Sequence, residues 1–174
     1  MGIQVWCSPK VAVRASVYGG QAVFAIQPIQ AGERVAVKAG HIVDTAEVLR
    51  LTEEVGDFSL QIDEDLILSP RHLDGYEDLV VHIAHSCEAN VGFSGQVTYA
   101  AIRDVDVDVD VDVDEELCHD YAMARKSPYS LDCLCGTEAC RGTVTHDDWK
   151  LPDVQARYSG WFMPYVQRRI YTLA

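Results

Sequence analysis

Residues 133–142 read CLCGTEACRG. Cys133, Cys135 and Cys140 fall within eight residues in the spacing C-x-C-x4-C. Thiolates this close can hold one Zn²⁺, and a structural zinc site closes with four ligands. The fourth ligand must come from elsewhere, and Cys87, Cys118, His119 and His146 are the candidates. The chain has six cysteines, the remaining one being Cys7. An even count can signal disulfides in a secreted chain, but the clustering favours a metal in a reducing compartment. Without metal, an exposed thiol cluster would be prone to oxidation.

Upstream of this cluster lie two polar segments. HSCEAN at 85–90 bunches His, Ser, Cys and Asn between apolar stretches and suggests a packed polar loop. A Cys beside a His can be a nucleophile pair, but sequence neighbours rarely have the geometry that pair needs. DEELCHDYA at 114–122 ends on Asp120 and Tyr121. A tyrosine among polar groups can act as a general acid, a base or a hydrogen-bond donor. It can equally be a satisfied core tyrosine. Before it runs VDVDVDVDVD at 105–114. In a strand all Val would face one side and all Asp the other. The carboxylates on one face would repel, so a solvated hairpin extension or mobile loop is expected. A calcium site is the alternative, weakened by the absence of the glycine of a calcium-binding loop.

The rest of the chain reads as many short strands and few helices. VAVRASVY and AVFAI are strands separated by Gly19 and Gly20, and RVAVKAGHIV is one further strand. DTAEVLRLTEE is a helix opened by Asp44 or Thr45, with Val48, Leu49 and Leu51 as its apolar face. FSLQIDEDLIL is a hairpin with an acidic turn, YEDLVVHIAHS a short helix entering a loop, and GQVTYAAIRDV a strand. The tail is helical, interrupted near Pro164. The fold class is therefore mostly β with short helices.

The 174 residues suit one domain with a short appendage, and a hydrophobic fraction of 48% is enough for a core. No apolar run approaches the ~20 residues of a membrane span. Nothing at the start reads as a signal peptide, so an intracellular location, cytoplasmic or nuclear, is expected. A net charge of −13 disfavours nucleic acid and favours basic partners. Residues 104–116 carry eight of the acids, so without them the charge would be −5.

Together these segments resemble the SET-domain protein lysine methyltransferases, in the family's order and over nearly the whole chain. YGGQAVFAIQPIQAGERV at 18–35 resembles the family's glycine-containing amino-terminal segment. HSCEAN resembles its Asn-His-Ser-Cys-x-x-Asn signature, and DEELCHDY its Gly-Glu-Glu-Leu-x-x-Asp-Tyr signature. CLCGTEACRG resembles the post-SET zinc motif. The resemblance implies small twisted β-sheets in which 85–90 and 114–121 form a pseudoknot, followed by a zinc-binding post-SET segment and a C-terminal helix. It implies a SET domain over 1–132, with 103–116 as a Val-Asp insertion, and a post-SET segment and tail over 133–174.

The resemblance also implies the chemistry. S-adenosylmethionine would lie on one side and a substrate lysine on the other, with Tyr121 between them as the catalytic residue. Cys87 would complete the zinc site with Cys133, Cys135 and Cys140, leaving Cys7 and Cys118 as free, buried thiols. Backbone groups of Gly20, Gln21 and Ala22 would hold the cofactor's amino-acid end. His85 would pack on its adenine, and the segment near Val144 would close over it. A basic protein or peptide, histone-like or ribosomal, would be the substrate.

The chain departs from the family at several positions. Ala84 stands where an Asn usually hydrogen-bonds the cofactor, a loss of roughly 1.5–3 kcal/mol. Ala22 replaces the second Gly of Gly-x-Gly, and Ala reaches positive φ only at a cost. Lys38 stands near a usual substrate-site tyrosine, Glu88-Ala89 replaces an acid-Pro pair, and Asp114 replaces a Gly. Three readings follow: a lysine methyltransferase with weaker cofactor affinity, a SET scaffold repurposed for small-molecule chemistry, and a non-catalytic SET binding module.

Overall fold

The computed structural model describes residues 5–56, 58–72, 79–108, 113–124 and 128–173. Short strands dominate them. In chain order they are β1 (Trp6–Cys7), β2 (Val11–Ala15), β3 (Gln21–Ala25), β4 (Arg34–Val37), β5 (His41–Val43), β6 (Leu60–Gln61), β7 (Ile67–Ser69) and β8 (Ala84–His85). Then follow β9 (Val91–Phe93), β10 (Thr98–Ala101), β11 (Val107–Asp108), β12 (Val113–Asp114), β13 (Cys118–His119), β14 (Ser130–Asp132) and β15 (Thr143–Thr145). The helices are α1 (Thr45–Val55), α2 (Pro152–Arg157) and α3 (Pro164–Leu173), with 3₁₀ turns at Leu79–His82, Tyr121–Met123 and Asp148–Lys150. The expected mostly-β class is what the chain forms.

The largest sheet has the order β1-β4-β10-β9-β13-β8. Its neighbours are antiparallel except around β13, which runs parallel to β8, Cys118 opposite Ala84, and parallel to β9, His119 opposite Val91. The strand that leads to Tyr121 is thus inserted between two strands that the 86–90 loop connects. Asn90, 3% exposed, fastens that arrangement. Its Oδ1 accepts from the Cys118 amide at 2.8 Å, and its Nδ2 donates to the Glu116 carbonyl and to Glu115 Oε1, each at 2.8 Å. A buried amide with its donors and acceptor all used fixes one register.

β2 and β3 form a hairpin paired from Val11–Ala25 to Ala15–Gln21. Its turn uses Gly19 at φ +96° and Gly20 at φ +73°, backbone that favours glycine. β3 continues beside 115–117 through the Leu117 amide on the Val23 carbonyl (2.7 Å). The core gathers Val23, Val35, Phe93, Tyr99 and Leu117 with Trp149, Tyr158, Phe162, Met163 and Tyr165 of the tail, so the C-terminal helices pack into the same core as the sheets. A smaller cluster of Val43, Val48, Leu51 and Ile67 lies under α1.

Several expectations are corrected. RVAVKAGHIV makes two strands in different sheets, because the chain crosses between sheets over Lys38–Gly40. Asp44 caps α1 by accepting from the Glu47 amide (2.8 Å), as its position suggests, but Leu49 points outward at 64% exposure. The tail forms two helices, with Pro152 and Pro164 each at a start, where the missing N–H costs nothing. Cys7, on the edge strand β1, and Cys118, on β13, are half-buried. The Val-Asp run is partly structural: Val105 is fully buried and bridges Ile29, and β11 pairs with β12. Residues 109–112 of that run, and 76–78 of the segment expected to be helical, lie outside the described residues.

Candidate functional site

β14 and β15 pair antiparallel, and the Cys133 amide donates to the Gly142 carbonyl at 2.7 Å. This ladder closes the loop that carries Cys133, Cys135 and Cys140. Cys87 reaches it from the 86–90 loop, so that one sulfur from each of Cys87, Cys133, Cys135 and Cys140 lies within 4.8 Å of the others. The Cys87 and Cys133 sulfurs are 3.7 Å apart. A zinc tetrahedron with ~2.3 Å bonds has edges of about 3.8 Å, so the donor set fits a thiophilic dication. The Arg141 amide donates to Cys87 Sγ (3.4 Å). Burial opposes ionisation of Cys135, but hydrogen bonds from Thr137 and the loop backbone hold its thiol down to about 6. Burial pushes Cys133 up to about 12.

The other candidate ligands stand apart from this cluster. Cys118 faces Glu116, and burial with that carboxylate pushes its thiol up to about 12. His146 packs beside Tyr129 with ring centroids 6.3 Å apart, and His119 lies in a cavity wall.

Arg141, next to Cys140, reaches away from the sulfurs. Its Nη1 and Nη2 donate to Asp120 Oδ2 (2.7 Å) and Oδ1 (2.8 Å), and its Nε donates to Asp148 Oδ2 (2.8 Å). Burial works against the Arg141 charge, but the two carboxylates outweigh it and raise its pKa. Asp120 is fully buried and also caps the 3₁₀ turn that begins at Tyr121, accepting from the Ala122 amide at 3.0 Å. Burial lowers the His85 pKa despite the nearby Asp120, which favours a neutral ring. Its Nδ1 accepts from the Tyr121 amide (3.2 Å), and its Nε2 is 3.5 Å from Cys87 Sγ.

His85 thus links the Tyr121 backbone to the sulfur cluster. The Tyr121 ring centroid is 5.0 Å from those of His85 and His119 and 6.4 Å from that of Tyr129. Tyr121 lines a cavity of about 550 Å³ with Lys38, Phe58, Gln61, Tyr99, His119 and Tyr129 among its walls. The volume lies in the range of small-ligand sites, and the wall mixes aromatic and aliphatic side chains with polar groups of Lys38, Ser59, Gln61 and His119.

The residues expected to hold a cofactor fall into two groups. Ala84 and His85 are on β8 beside β13, and buried Val144 is on β15, which packs against the turn of Tyr121. Gly20, Gln21 and Ala22 are at the end of the β2–β3 hairpin, which Ser16 ties to the segment between β12 and β13 through Glu116 Oε2 (3.4 Å). No atom lies within 4 Å of a Cβ built on Gly19 or Gly20, so that turn is open to a ligand. Ala84 offers no side-chain hydrogen bond. The cost expected at Ala22 is not incurred: Ala22 is an ordinary, buried strand residue opposite Arg14.

The sequence reading missed Arg141, Asp120, Asp148 and Tyr158. Tyr158, 1% exposed, donates to the Cys87 carbonyl (2.7 Å) and accepts from the Ala89 amide (3.0 Å). A signal existed for two of them: Arg141 directly follows a cysteine of the cluster, and Asp120 directly precedes Tyr121. Asp148 and Tyr158 had none, since their partners are set by tertiary packing.

No protein-family model and no curated protein matches the sequence. Among solved structures, the chain is similar to a humanized mutant of the Chaetomium thermophilum Polycomb Repressive Complex 2 bound to an inhibitor. That likeness has a TM-score of 0.50 at 22% identity and covers 64% of this chain. The chain spans about 15% of the length of that neighbour. The likeness is one of architecture, and the fold is SET-like.

Proposed function

We propose that the chain transfers a methyl group from S-adenosylmethionine to the side-chain amine of a lysine in a basic protein. The observation that carries this reading is the position of Tyr121, on the wall of an aromatic cavity and beside His85 on β8, in a SET-like fold. In this reading 85–90 and 114–121 form the pseudoknot of a SET domain over 1–132, and 133–142 is a post-SET zinc motif. When bound, S-adenosylmethionine would supply an electrophilic methyl on a sulfonium. Gly20, Gln21 and Ala22 would hold it through backbone groups, and Ala84, His85 and Val144 would form the surface beside Tyr121.

The chain's own residues would align and desolvate the amine. The apolar and aromatic part of the wall would displace water from the amine, which would favour its neutral form over an ammonium and strengthen each remaining polar contact. The Tyr121 hydroxyl would hold the amine in line, a role in which fixed geometry supplies much of the rate. The four thiolates would bind Zn²⁺ as a structural ion, tying the post-SET loop to the Cys87 loop. The acidic surface would favour a basic substrate, and the cysteine cluster suits a reducing, intracellular compartment. A second reading, small-molecule chemistry in the same cavity, is favoured by Lys38 on its wall, where a cation resists a lysine ammonium.

The test is calorimetric titration with S-adenosylmethionine, then incubation with a pool of basic proteins and mass spectrometry for methyl-lysine. Binding with methyl-lysine formation is expected. Tyr121→Phe should lower turnover roughly 10²–10³-fold with cofactor affinity retained. Ala84→Asn should tighten cofactor binding by roughly 1–2 kcal/mol. Cofactor binding without lysine methylation would favour the small-molecule reading, and absence of binding would overturn both enzymatic readings.

A further inference from the structure

A closed ring of contacts joins the sulfur cluster to Tyr121. On one side, Cys87 Sγ accepts from the Arg141 amide (3.4 Å), and the Arg141 guanidinium grips both oxygens of Asp120. Asp120 in turn holds the turn of Tyr121 through the Ala122 amide (3.0 Å). On the other side, Cys87 Sγ is 3.5 Å from His85 Nε2, and His85 Nδ1 accepts from the Tyr121 amide (3.2 Å). The two arms meet at the turn of Tyr121, where Asp120 Oδ1 lies 3.7 Å from His85 Nδ1 without a hydrogen bond between them. Each step is short, and the pivotal carboxylate is wholly buried, so a displacement at the sulfurs has little slack in which to dissipate.

The two arms differ in strength. The His85 arm uses one sulfur contact at 3.5 Å and one amide bond. The Arg141 arm uses a bidentate, charge-assisted pair, which fixes direction as well as distance. Asp148 holds the same guanidinium from the far side at 2.8 Å, and Thr145 Oγ1 donates to Asp148 Oδ1 at 2.7 Å. Arg141 is therefore clamped between two carboxylates while its own backbone is part of the cluster loop. Neither Arg141 nor Asp120 is among the residues that line the cavity, so neither is placed to touch a substrate there.

We infer that Arg141 is a positioning residue for Tyr121, and that through it the state of the four-cysteine cluster sets where Tyr121 stands. The inference rests on the reading of Tyr121 as the acting group. Filling the cluster with a dication draws Cys87 and the Arg141 backbone into one fixed geometry, and the Arg141–Asp120 pair carries that geometry to the turn. An emptied or oxidised cluster releases the same turn, so metal occupancy and activity are coupled.

The experiment uses the full chain labelled with ¹³C on its tyrosine rings, with the Tyr121 resonance assigned by its loss in Tyr121→Phe. Arg141→Gln and Arg141→Lys are compared with the parent at a verified content of one zinc per chain. Arg141→Gln should displace and broaden the Tyr121 resonance, Arg141→Lys should do so less, and exposed Tyr171 should be unmoved in both. Turnover should fall by up to about 10²-fold in Arg141→Gln while S-adenosylmethionine affinity stays within about twofold of the parent. As a second measurement that needs no variant, exchanging zinc for the larger cadmium ion in the parent should shift Tyr121 and leave Tyr171 in place. A Tyr121 resonance unmoved in folded Arg141→Gln, or unmoved by cadmium exchange, overturns the inference. The resonances need no methyl transfer, so a displaced Tyr121 in a protein that methylates nothing would remove the proposed function and leave the coupling standing. Equal turnover by parent and Arg141→Gln would do the reverse.

Discussion

The Tyr158 hydroxyl donates to the Cys87 carbonyl at 2.7 Å and accepts from the Ala89 amide at 3.0 Å, so the C-terminal tail holds the loop that supplies a cluster ligand. Arg157 adds a second donor to the same carbonyl at 2.8 Å. Tyr158→Phe keeps the ring but leaves the buried Ala89 amide without its acceptor. A buried group that loses its partner costs about 1–3 kcal/mol. Urea unfolding of Tyr158→Phe should show a loss of that size with an unchanged m-value. The variant should also release zinc to a chelator faster than the parent, whereas equal release rates would mean that the tail does not hold the ligand loop.

The cluster makes a sharper demand on the cysteines. Cys87, Cys133, Cys135 and Cys140 converge, and Cys118 faces Glu116 instead. Elemental analysis of protein purified under reducing conditions should give about one zinc per chain. Cys87→Ser should lose the metal and much of the thermal stability, because metal binding to a site absent from the unfolded chain is folding free energy. Cys118→Ser should keep one zinc per chain. Zinc retained in Cys87→Ser, or lost in Cys118→Ser, would assign the fourth ligand wrongly.

Much of this site was legible in the sequence, for identifiable reasons. C-x-C-x4-C is local chemistry and left four candidates for the fourth ligand, and only the resemblance to the SET-domain family implied Cys87 among them. The helix at Thr45–Val55 was legible because an Asp cap and apolar spacing are local as well. The break between β4 and β5 was not, because apolar residues on both sides of Lys38–Gly40 read as one run. The Val-Asp repeat hid the burial of Val105, since every unit of a repeat looks alike until a partner such as Ile29 singles one out. The Arg141–Asp120 pair spans 21 residues, and nothing in the sequence marks two opposite charges as partners at that separation.

His119 gives a pH dependence. It is buried at 9% exposure, its Nδ1 has no partner among the described residues, and it donates a hydrogen bond to the Ile83 backbone. Burial, with some repulsion from His85, lowers its pKa to about 4. The unfolded chain takes up the proton near pH ~6.5, where the folded chain does not. Above that pH the group contributes nothing to the pH dependence. On acidification from ~6.5 towards 4 the unfolded state is progressively favoured, by on the order of 3 kcal/mol in full. His119→Phe should flatten the stability profile over that window, measured by urea midpoints at fixed ionic strength. Parent and variant profiles that stay parallel from pH 6.5 to 4.5 would refute the buried neutral imidazole.

The contact between strand and tail is tightest at Gly92. Gly92, in β9 opposite Ala100, has its backbone directly under Trp161. A Cβ built there would lie 2.8 Å from Trp161 Cβ and 3.2 Å from Ile102 Cγ1. The obstacle is not the far end of a flexible side chain. Trp161 Cβ is fixed to its backbone, and the Phe93 amide holds that backbone by donating to the Trp161 carbonyl at 2.9 Å. Gly92→Ala must therefore push the tail off the strand or bend the strand, and overpacking of this kind costs about 1–3 kcal/mol. The favourable effect of Ala on a strand backbone is smaller, about 0.5–1 kcal/mol, so the net sign is destabilising. Trp161→Gly removes the obstructing Cβ at a large cost of its own, but in its background Gly92→Ala should cost less or become favourable. A double-mutant cycle in urea should accordingly give a coupling of about 1 kcal/mol or more. Additive losses in that cycle would mean that strand and tail do not meet at Gly92.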